Sequence, residues 1–380
     1  MSDKKSIRPI AIYLPQYHPV PENDEWWGKG FTEWTNVVKA KPLFEGHYQP
    51  HLPSDLGFYD LRLPETRQAQ ADLAKEYGIY GFCYYHYWFN GRRILERPFQ
   101  DVYESGKPDF PFMLCWANEN WTKVWDGSDK EILLKQNYND EDDRKHIQSL
   151  MPYFKDPRYI RVDGKPVFII YKSTELPDAK RTIEIWREEA KKEGIELYLC
   201  RMERWIPTDD KAALEVGFDA AIDFQPLSPA LKQYQRTRKK STPLPPGLQQ
   251  RIVNKIKRTL NLQKPEPPKE DFNLYNFPEY VEFDLKKTAP DYKLFPGVSP
   301  MWDNTSRRKS DAIIFTDSSP ALYEKWLSGN IKKFTPYSKD ENFIFINAWN
   351  EWAEGNHLEP CQKWGRGFLE ATRNALKNNQ

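Results

Sequence analysis

Eight short apolar runs recur along the chain, and segments with helical periodicity separate most of them. The runs are rich in β-branched and aromatic residues, which favours strands at this length. They span residues 9–17, 80–89, 112–117, 166–172, 197–202, 220–225, 294–301 and 343–349. Amphipathic patterns predict helices at 64–77, 140–154, 178–192, 321–333 and 367–377.

This alternation of strand and helix predicts an α/β fold, a (β/α)₈ TIM barrel in one domain over residues 1–380. A doubly wound sheet is the main rival, but no glycine-rich turn follows the first run to cradle a nucleotide. Long βα loops and a basic insertion at about 228–275 interrupt the regular alternation of strands and helices. In such barrels catalytic residues gather at the C-terminal ends of the strands.

The last apolar run ends in a pair of acids, Glu351 and Glu354, between Trp349 and Gly355. Paired carboxylates can divide acid and base roles at a glycosidic bond. Residues three apart share a face only in a helical turn, and glycine tolerates the positive φ that such turns often need. We therefore predict Glu351 and Glu354 as catalytic; the alternative is a pair of ordinary exposed acids at a helix start.

Aromatic residues form 15% of the chain, and most of the 14 tryptophans lie at or just after predicted strand ends. Rings that stack on sugars, next to acids and amides that fix hydroxyl groups, are typical of a carbohydrate cleft. The alternative is simple packing of the loops. The predicted substrate-binding residues are Tyr13, Tyr17, His18, Trp27, Glu33, Trp34, Tyr85, His86, Trp88, Asn118, Glu119, Trp121, Trp125, Arg201, Trp302, Asp303, Asn350, Trp352 and His357.

Charge and cysteine usage exclude several classes of partner. Lys+Arg 56 against Asp+Glu 55 gives a net charge of +1, which offers no overall field for nucleic acid. No apolar run is long enough to span a bilayer, and no leader-like segment follows Met1. The four cysteines form no CxxC pair and, apart from His47 and His51, the six histidines form no HxxxH pair, so we expect neither a metal nor a cofactor. These features predict a soluble cytoplasmic protein, unless a leader has been removed.

The basic insertion carries its own hypothesis. Between Leu231 and Glu270 the sequence holds eleven Lys and Arg residues against two acids, with several prolines. One interpretation is a solvated helix with proline-rich flanks; the other is a peripheral patch for an anionic glycan or a lipid phosphate.

Five segments with tryptophan-rich motifs, at 10–37, 81–91, 115–127, 296–308 and 347–360, resemble WbsX-type proteins. These are described as glycoside hydrolase family 99-like and are often encoded with polysaccharide and O-antigen biosynthesis genes. The resemblance covers nearly the whole chain, in order. It implies a (β/α)₈ barrel that acts on an oligosaccharide or polysaccharide.

Family 99 contains retaining endo-α-mannosidases, so the resemblance implies roles for the two glutamates. Glu351 would deprotonate the substrate 2-hydroxyl to form a 1,2-anhydro sugar, while Glu354 would protonate the leaving oxygen and then activate water. Mannose specificity does not transfer, because the likeness to family 99 itself is distant.

Two other functions stay open at this stage. WbsX-type proteins have also been labelled glycosyltransferases, and Asp140-Glu141-Asp142 formally fits a metal-binding DxD motif. We interpret these acids as the charged first turn of a helix. A non-catalytic glycan-binding protein would keep the aromatic residues without needing the carboxylate pair.

Overall fold

The structure is a computed structural model, and it describes residues 6–123, 128–204, 216–240, 272–308 and 310–379. The strands are β1 (Arg8–Tyr13), β2 (Gly81–Phe89), β3 (Arg92–Ile94), β4 (Phe112–Trp116), β5 (Trp121–Lys123), β6 (Ser128–Leu134), β7 (Arg161–Val162), β8 (Lys165–Ile170), β9 (Tyr198–Glu203), β10 (Ala220–Asp223), β11 (Phe272–Asn276), β12 (Leu294–Phe295), β13 (Gly297–Val298), β14 (Ala312–Thr316), β15 (Phe343–Ile346), β16 (Asn350–Glu351) and β17 (Asn356–His357). The helices are α1 (Pro21–Trp27), α2 (Glu33–Val37), α3 (Pro64–Glu76), α4 (Arg97–Ser105), α5 (Asp140–Phe154), α6 (Ala179–Lys192), α7 (Pro229–Lys240), α8 (Phe277–Asp284), α9 (Pro320–Lys333) and α10 (Gly367–Lys377).

Nine parallel strands close into a barrel in the order β12, β10, β9, β8, β4, β2, β1, β15, β13. β12 and β13 are separated by Pro296 alone, and the Pro296 carbonyl accepts from the Phe345 amide at 2.9 Å. They are therefore two halves of one interrupted barrel strand, which pairs with β10 on one side and β15 on the other. Each strand position around the barrel is called a stave below. The barrel has eight staves, and the TIM-barrel prediction is confirmed.

Burial on both faces explains why the barrel strands read as continuous apolar runs. Every residue of β2, β4, β9, β10 and β15 is buried. The five predicted helices are present as α3, α5, α6, α9 and α10, and each begins and ends within one residue of its predicted bounds. The helices α1, α2, α4 and α8 were not predicted.

The acids of the formal DxD motif begin helix α5, as the helix interpretation predicted. Asn139 caps the helix by accepting from the Asp142 amide. Asp140 pairs with Arg181 at 2.9 Å, while Asp142 accepts from Trp88 Nε1 at 3.0 Å. The carboxylates thus serve separate partners, and no cluster of His, Cys, Asp or Glu in the described residues could hold a metal ion.

The basic insertion is described only in part, because residues 241–271 lie outside the described ranges. Its first segment is helix α7, and the chain returns as β11, which pairs in parallel with β14. The interpretation as a peripheral patch stays a prediction. Within the described ranges, no helix has both the length and the apolar character that crossing a bilayer requires.

Candidate active site

A cleft of about 360 Å³ opens at the C-terminal ends of the barrel strands. All eight staves, or the loops that follow them, contribute to its wall. One residue from each, in chain order, is Gln16, Tyr85, Glu119, Tyr171, Arg204, Leu227, Trp302 and Glu351. This is the face on which (β/α)₈ barrels build their active sites.

The two predicted catalytic glutamates lie on a tight turn after β15. β16 and β17 pair antiparallel, and the segment between them is the 3₁₀ turn Trp352–Glu354. Gly355 ends the turn at φ 54°, a left-handed conformation that suits glycine. A Cβ on Gly355 would lie 3.0 Å from Asp303, so the two loops pack backbone to backbone. This helical turn presents Glu351 and Glu354 to the same cleft, as their spacing requires.

Buried hydrogen bonds anchor this turn to the end of β1. The Asn350 side chain accepts from the Leu14 amide at 2.8 Å and donates to the Leu14 carbonyl at 3.0 Å. The Tyr17 hydroxyl donates to the Asn350 carbonyl and accepts from the Trp352 amide. Because each of these groups is buried and paired, the turn is held in one conformation.

One guanidinium joins three carboxylates in the cleft. Arg307 Nη2 lies 2.8 Å from Glu351 Oε2, and Nη1 lies 2.8 Å from Glu354 Oε1. Arg307 also pairs with Glu33, whose side chain is fully buried. These four residues, the Arg307 cluster, carry one cation against three acids when all are ionised. The planar, five-donor guanidinium is suited to such multiple contacts.

The Arg307 cluster favours protonated carboxyl groups. Burial raises the pKa of Glu351 to about 8; Arg307 opposes this shift, while Glu354 and Glu33 add to it. Burial also raises the pKa of Glu354, against the effect of Arg307 and with the help of Glu33. Since neighbouring carboxylates disfavour each other's ionisation, the cluster holds a proton near neutral pH.

Glu119 sits in the same cleft with the opposite charge balance. Lys172 Nζ lies 2.7 Å from its Oε1 and Arg204 Nη1 lies 3.2 Å from it. Burial acts to raise the pKa of Glu119, but Arg204 and Lys172 outweigh burial, and the pKa is lowered. These three residues, the Glu119 cluster, therefore keep their carboxylate ionised.

Aromatic side chains cover much of the remaining wall. They are Trp27, Tyr85, Tyr87, Trp121, Tyr171 and Trp302. Trp121 meets Tyr87 edge-on at 5.5 Å between ring centroids, and Tyr85 meets Tyr171 edge-on at 5.6 Å. The buried Trp302 Nε1 has no acceptor within the described part of the chain. Ring faces beside carboxylates and unused donors suit a sugar, which presents both CH faces and hydroxyls.

The family comparison covers nearly the whole chain. The family described as "Glycosyltransferase WbsX" matches residues 9–372. This chain belongs to the WbsX family. Relatives named "Uncharacterized protein WxcX", from two strains of Xanthomonas campestris pv. campestris (B100 and ATCC 33913), are each 40% identical to it over 369 residues. The match covers 97% of this WbsX-family chain but only 49% of those proteins, so the chain spans about half their length.

Solved structures share the fold of this WbsX-family protein. The GH99 endo-α-mannosidase from Bacteroides thetaiotaomicron, solved with bis-tris-propane, superposes with a TM-score of 0.56 at 14% identity, covering 98% of this chain and 97% of that one. A second structure, described as a glycoside hydrolase-like protein, has a TM-score of 0.56 at 13% identity, covering 99% and 95%. At this identity the likeness shows the fold.

The structure brings some of the predicted site residues of this WbsX-family chain together and separates others. Those that line the cleft are Trp27, Tyr85, Glu119, Trp121, Trp302, Glu351 and Glu354. Trp125 lies outside the described residues. Glu33 reaches the cleft through its ion pair with Arg307.

A second group supports the loops of the cleft. Its members are Tyr17, Trp34, Asp303, Asn350, Trp352 and His357, all of them buried. Trp352 stacks on His357 with 3.7 Å between ring centroids, and its Nε1 donates to Glu359 at 2.6 Å. Asp303 accepts from Gln49 at 2.8 Å and pairs with His47 at 2.7 Å. We correct the prediction for this group from contact with substrate to support of the glutamate turn and its neighbours.

A third group points away from the cleft, and strand alternation explains part of it. Tyr85 and Tyr87 of β2 line the cleft, so the side chains between and after them face α5. His86 hydrogen-bonds to His146 at 3.0 Å, and Trp88 donates to an aspartate of α5. The prediction of substrate contact is corrected for both residues.

The other members of this third group are also buried at other sites. The Tyr13 hydroxyl donates to Gln70 at 2.7 Å, and the Asn118 side chain bonds to the backbone of Lys172. Arg201 pairs with Glu203 inside the barrel, and His18 is buried with no hydrogen-bond partner in the described ranges. Their predicted contact with substrate is corrected to internal packing.

Several cleft residues are missing from the predicted set of site residues. Arg307, Arg204, Tyr87, Tyr171 and Asn304 line the cleft but were not selected as site residues. The alternation of side chains along β2 could have identified Tyr87, because Tyr87 lies on the same face of the strand as Tyr85. Arg307 carries no such signal, since its neighbour Arg308 is identical in type.

Proposed function

We propose that the protein is a glycoside hydrolase that cleaves a glycosidic bond in a bacterial oligosaccharide or polysaccharide. The observation that carries this proposal is a pair of carboxyl groups, buried Glu351 and partly buried Glu354, on one turn of a cleft reached by all eight staves. Both have raised pKa values, and both contact one guanidinium. Glycosidases need two such groups about 5 to 9 Å apart.

In this proposal Glu351 is the base and Glu354 is the acid. Ionised Glu351 removes the proton from the substrate 2-hydroxyl, and O2 attacks C1 as the glycosidic C–O bond breaks. Glu354 donates its proton to the departing oxygen, which leaves a 1,2-anhydro sugar. Water then attacks C1 and loses a proton to Glu354, while O2 regains its proton from Glu351. The sugar therefore retains its configuration, and both glutamates return to their starting states.

The raised pKa values fit both roles. The raised pKa of Glu354 favours the protonated form, from which the leaving oxygen takes its proton. The pKa of about 8 makes ionised Glu351 a stronger base toward a sugar hydroxyl than an ordinary carboxylate. All four cysteines are free and buried, which fits the reducing cytoplasm in which we place this reaction.

The name of the WbsX family favours a second candidate, a glycosyltransferase that forms a glycosidic bond. The same acid and base could act on a sugar acceptor in place of water. A transferase of this kind needs an activated donor, whereas hydrolysis needs only the glycan and water. This difference makes the two functions separable in one assay.

The test incubates the purified protein with a panel of bacterial oligosaccharides, with and without nucleotide sugars and divalent metal. We expect new reducing ends without donor or metal, incorporation of one ¹⁸O from labelled water, and retained configuration in the first product detected by NMR. Product that forms only with a nucleotide sugar would favour the transferase. Binding of the panel without any product would favour a glycan-binding protein.

A further inference from the structure

A second cavity of about 690 Å³ adjoins the active-site cleft. The two share four wall residues, Arg204, Leu227, Asn304 and Arg308. A glycan bound across the glutamates can therefore continue into this second cavity, which we call the basic groove. Such continuity is what a site for several sugar units requires.

Arginines outnumber acids in the wall of the basic groove. Among the described residues, this wall holds Arg204, Arg238 and Arg308 and one acid, Asp311. The whole chain carries a net charge of only +1, so this excess is a local feature. A concave wall of one sign concentrates the field inside the groove.

Arg204 is held rigidly at the junction of the two cavities. Its guanidinium lies 4.0 Å from the centroid of the Tyr171 ring and 5.5 Å from that of Phe224. Its ion-pair partner Glu119 is shared with Lys172, so one carboxylate faces two cations. The Glu119 carboxylate and the aromatic faces therefore fix the orientation of the Arg204 guanidinium at the junction.

Polar groups complete the wall. Arg238 of α7 donates to the Leu274 carbonyl at 2.9 Å, which ties its side chain to β11. Gln235 of the same helix donates to the Tyr275 hydroxyl at 2.7 Å. The Asn304 oxygen accepts from the Ile313 amide at 2.8 Å, which fixes this amide side chain between the cavities. Amides, a phenol and guanidinium groups are the donors that bind anionic sugars.

We propose that the basic groove is a subsite for an anionic group on the glycan, either the carboxylate of a uronic acid or a phosphate. This inference rests on the proposed function, because it places the anion on sugar units beyond the bond that Glu351 and Glu354 cleave. Carboxylates are in excess in the Arg307 cluster, and arginines are in excess in the basic groove. This difference orients the bound glycan, since an acidic sugar is repelled by the carboxylates and held by the arginines.

The test measures binding and needs no turnover. Calorimetry at low salt compares an oligogalacturonate with the same oligomer after reduction of its carboxyl groups, and inorganic phosphate serves as a second probe. We expect the anionic oligomer to bind about tenfold more tightly than its neutral counterpart. Arg308→Gln and Arg238→Gln should each remove most of this difference. A preference for phosphate over the uronate would identify the phosphate as the source of the anion.

Arg236→Gln is the matched control, because Arg236 is exposed on the same helix as Arg238 but does not line the groove. We expect it to leave binding unchanged. Equal binding of anionic and neutral oligomers, with no binding of phosphate, would overturn the inference and leave the hydrolase proposal intact. An Arg236→Gln effect as large as that of Arg238→Gln would also overturn it, because the attraction would then be general surface charge.

Discussion

The Arg307 cluster and the Glu119 cluster use the same kinds of side chain in one cleft, but in inverse proportions. The first sets one arginine against three glutamates, and the second sets one glutamate against an arginine and a lysine. The pKa of Glu351 is accordingly raised to about 8, whereas that of Glu119 is lowered. Charge balance, and not residue type, decides which glutamate can exchange a proton at neutral pH.

This comparison assigns different tasks to the two clusters. A carboxyl group that keeps its proton can donate it to a leaving oxygen, and a strongly basic carboxylate can remove one from a hydroxyl group. Glu119, ionised throughout the neutral range, can only accept hydrogen bonds from sugar hydroxyls. In the proposed mechanism, the Arg307 cluster therefore exchanges protons with the substrate and the Glu119 cluster binds it.

The largest expected effect comes from neutralising the carboxylates one at a time. Glu354→Gln should lower kcat by about a thousandfold or more on an ordinary glycan, because it removes the acid. A substrate with an activated leaving group should recover much of this rate, since it needs no proton. Glu351→Gln should be equally slow and should not recover, because the attack by O2 still needs a base.

Glu119→Gln is the matched control from the other cluster. We expect about a tenfold increase in KM with kcat little changed, because a binding contact is weakened and no proton transfer is lost. Steady-state kinetics on a confirmed substrate measure all three variants. If Glu119→Gln lowered kcat as much as Glu354→Gln, the division into two tasks would be wrong; wild-type rates in both Glu351→Gln and Glu354→Gln would refute the mechanism.

Arg307→Gln should have an intermediate effect. Arg307 lowers the pKa of both Glu351 and Glu354, so its removal should raise both pKa values. Because Glu351 acts when ionised, the rising limb of the pH profile of kcat/KM should move to higher pH by about one unit. At pH 7 this shift would make kcat/KM about tenfold lower. The profile of wild type and variant between pH 5 and 9.5 measures the shift.

The double variant Glu33→Gln/Arg307→Gln sharpens this test. Glu33 raises the pKa of both Glu351 and Glu354. Neutralising Glu33 should therefore move the rising limb of the kcat/KM profile back toward its wild-type pH. A limb that stays in place in Arg307→Gln would show that the arginine positions the turn and does not tune its protons.

The fold could be predicted because the barrel strands are buried on both faces and therefore read as apolar runs. The stave formed by β12 and β13 appeared as one run even though Pro296 interrupts its pairing. Short helices such as α1 and α4 were missed, because they lie in aromatic loops or span only nine residues or fewer. Too few residues show a helical period at this length.

The candidate site was only partly predictable. The spacing of Glu351 and Glu354 marks a turn, but aromatic and polar residues at strand ends serve both the cleft and the layer beneath it. His86 and Tyr85 are neighbours in sequence, yet one packs on helix α5 and the other lines the cleft. Arg307 joins carboxylates from two loops distant in sequence, and only the folded chain shows that they meet.

The smallest expected effect is on stability, and it has opposite signs in the two clusters. The pKa of Glu351 is raised in the folded state, so its stabilising contribution is complete below about pH 4.5 and is lost as the pH rises toward 8. Glu351→Gln cannot ionise and should therefore gain stability relative to wild type across this interval.

Glu119→Gln should behave in the reverse way. The lowered pKa of Glu119 means that its contribution is present above about pH 4.5 and is lost as the pH falls through the folded-state pKa. The variant should be less stable than wild type at pH 7 and should approach it in acid. Urea unfolding of both variants and wild type at several pH values between 4 and 8.5 measures the two slopes. The two slopes are the changes with pH in the difference in unfolding free energy between each variant and wild type. Slopes of the same sign would mean that the charge balance around Glu351 and Glu119 does not set their pKa values in opposite directions.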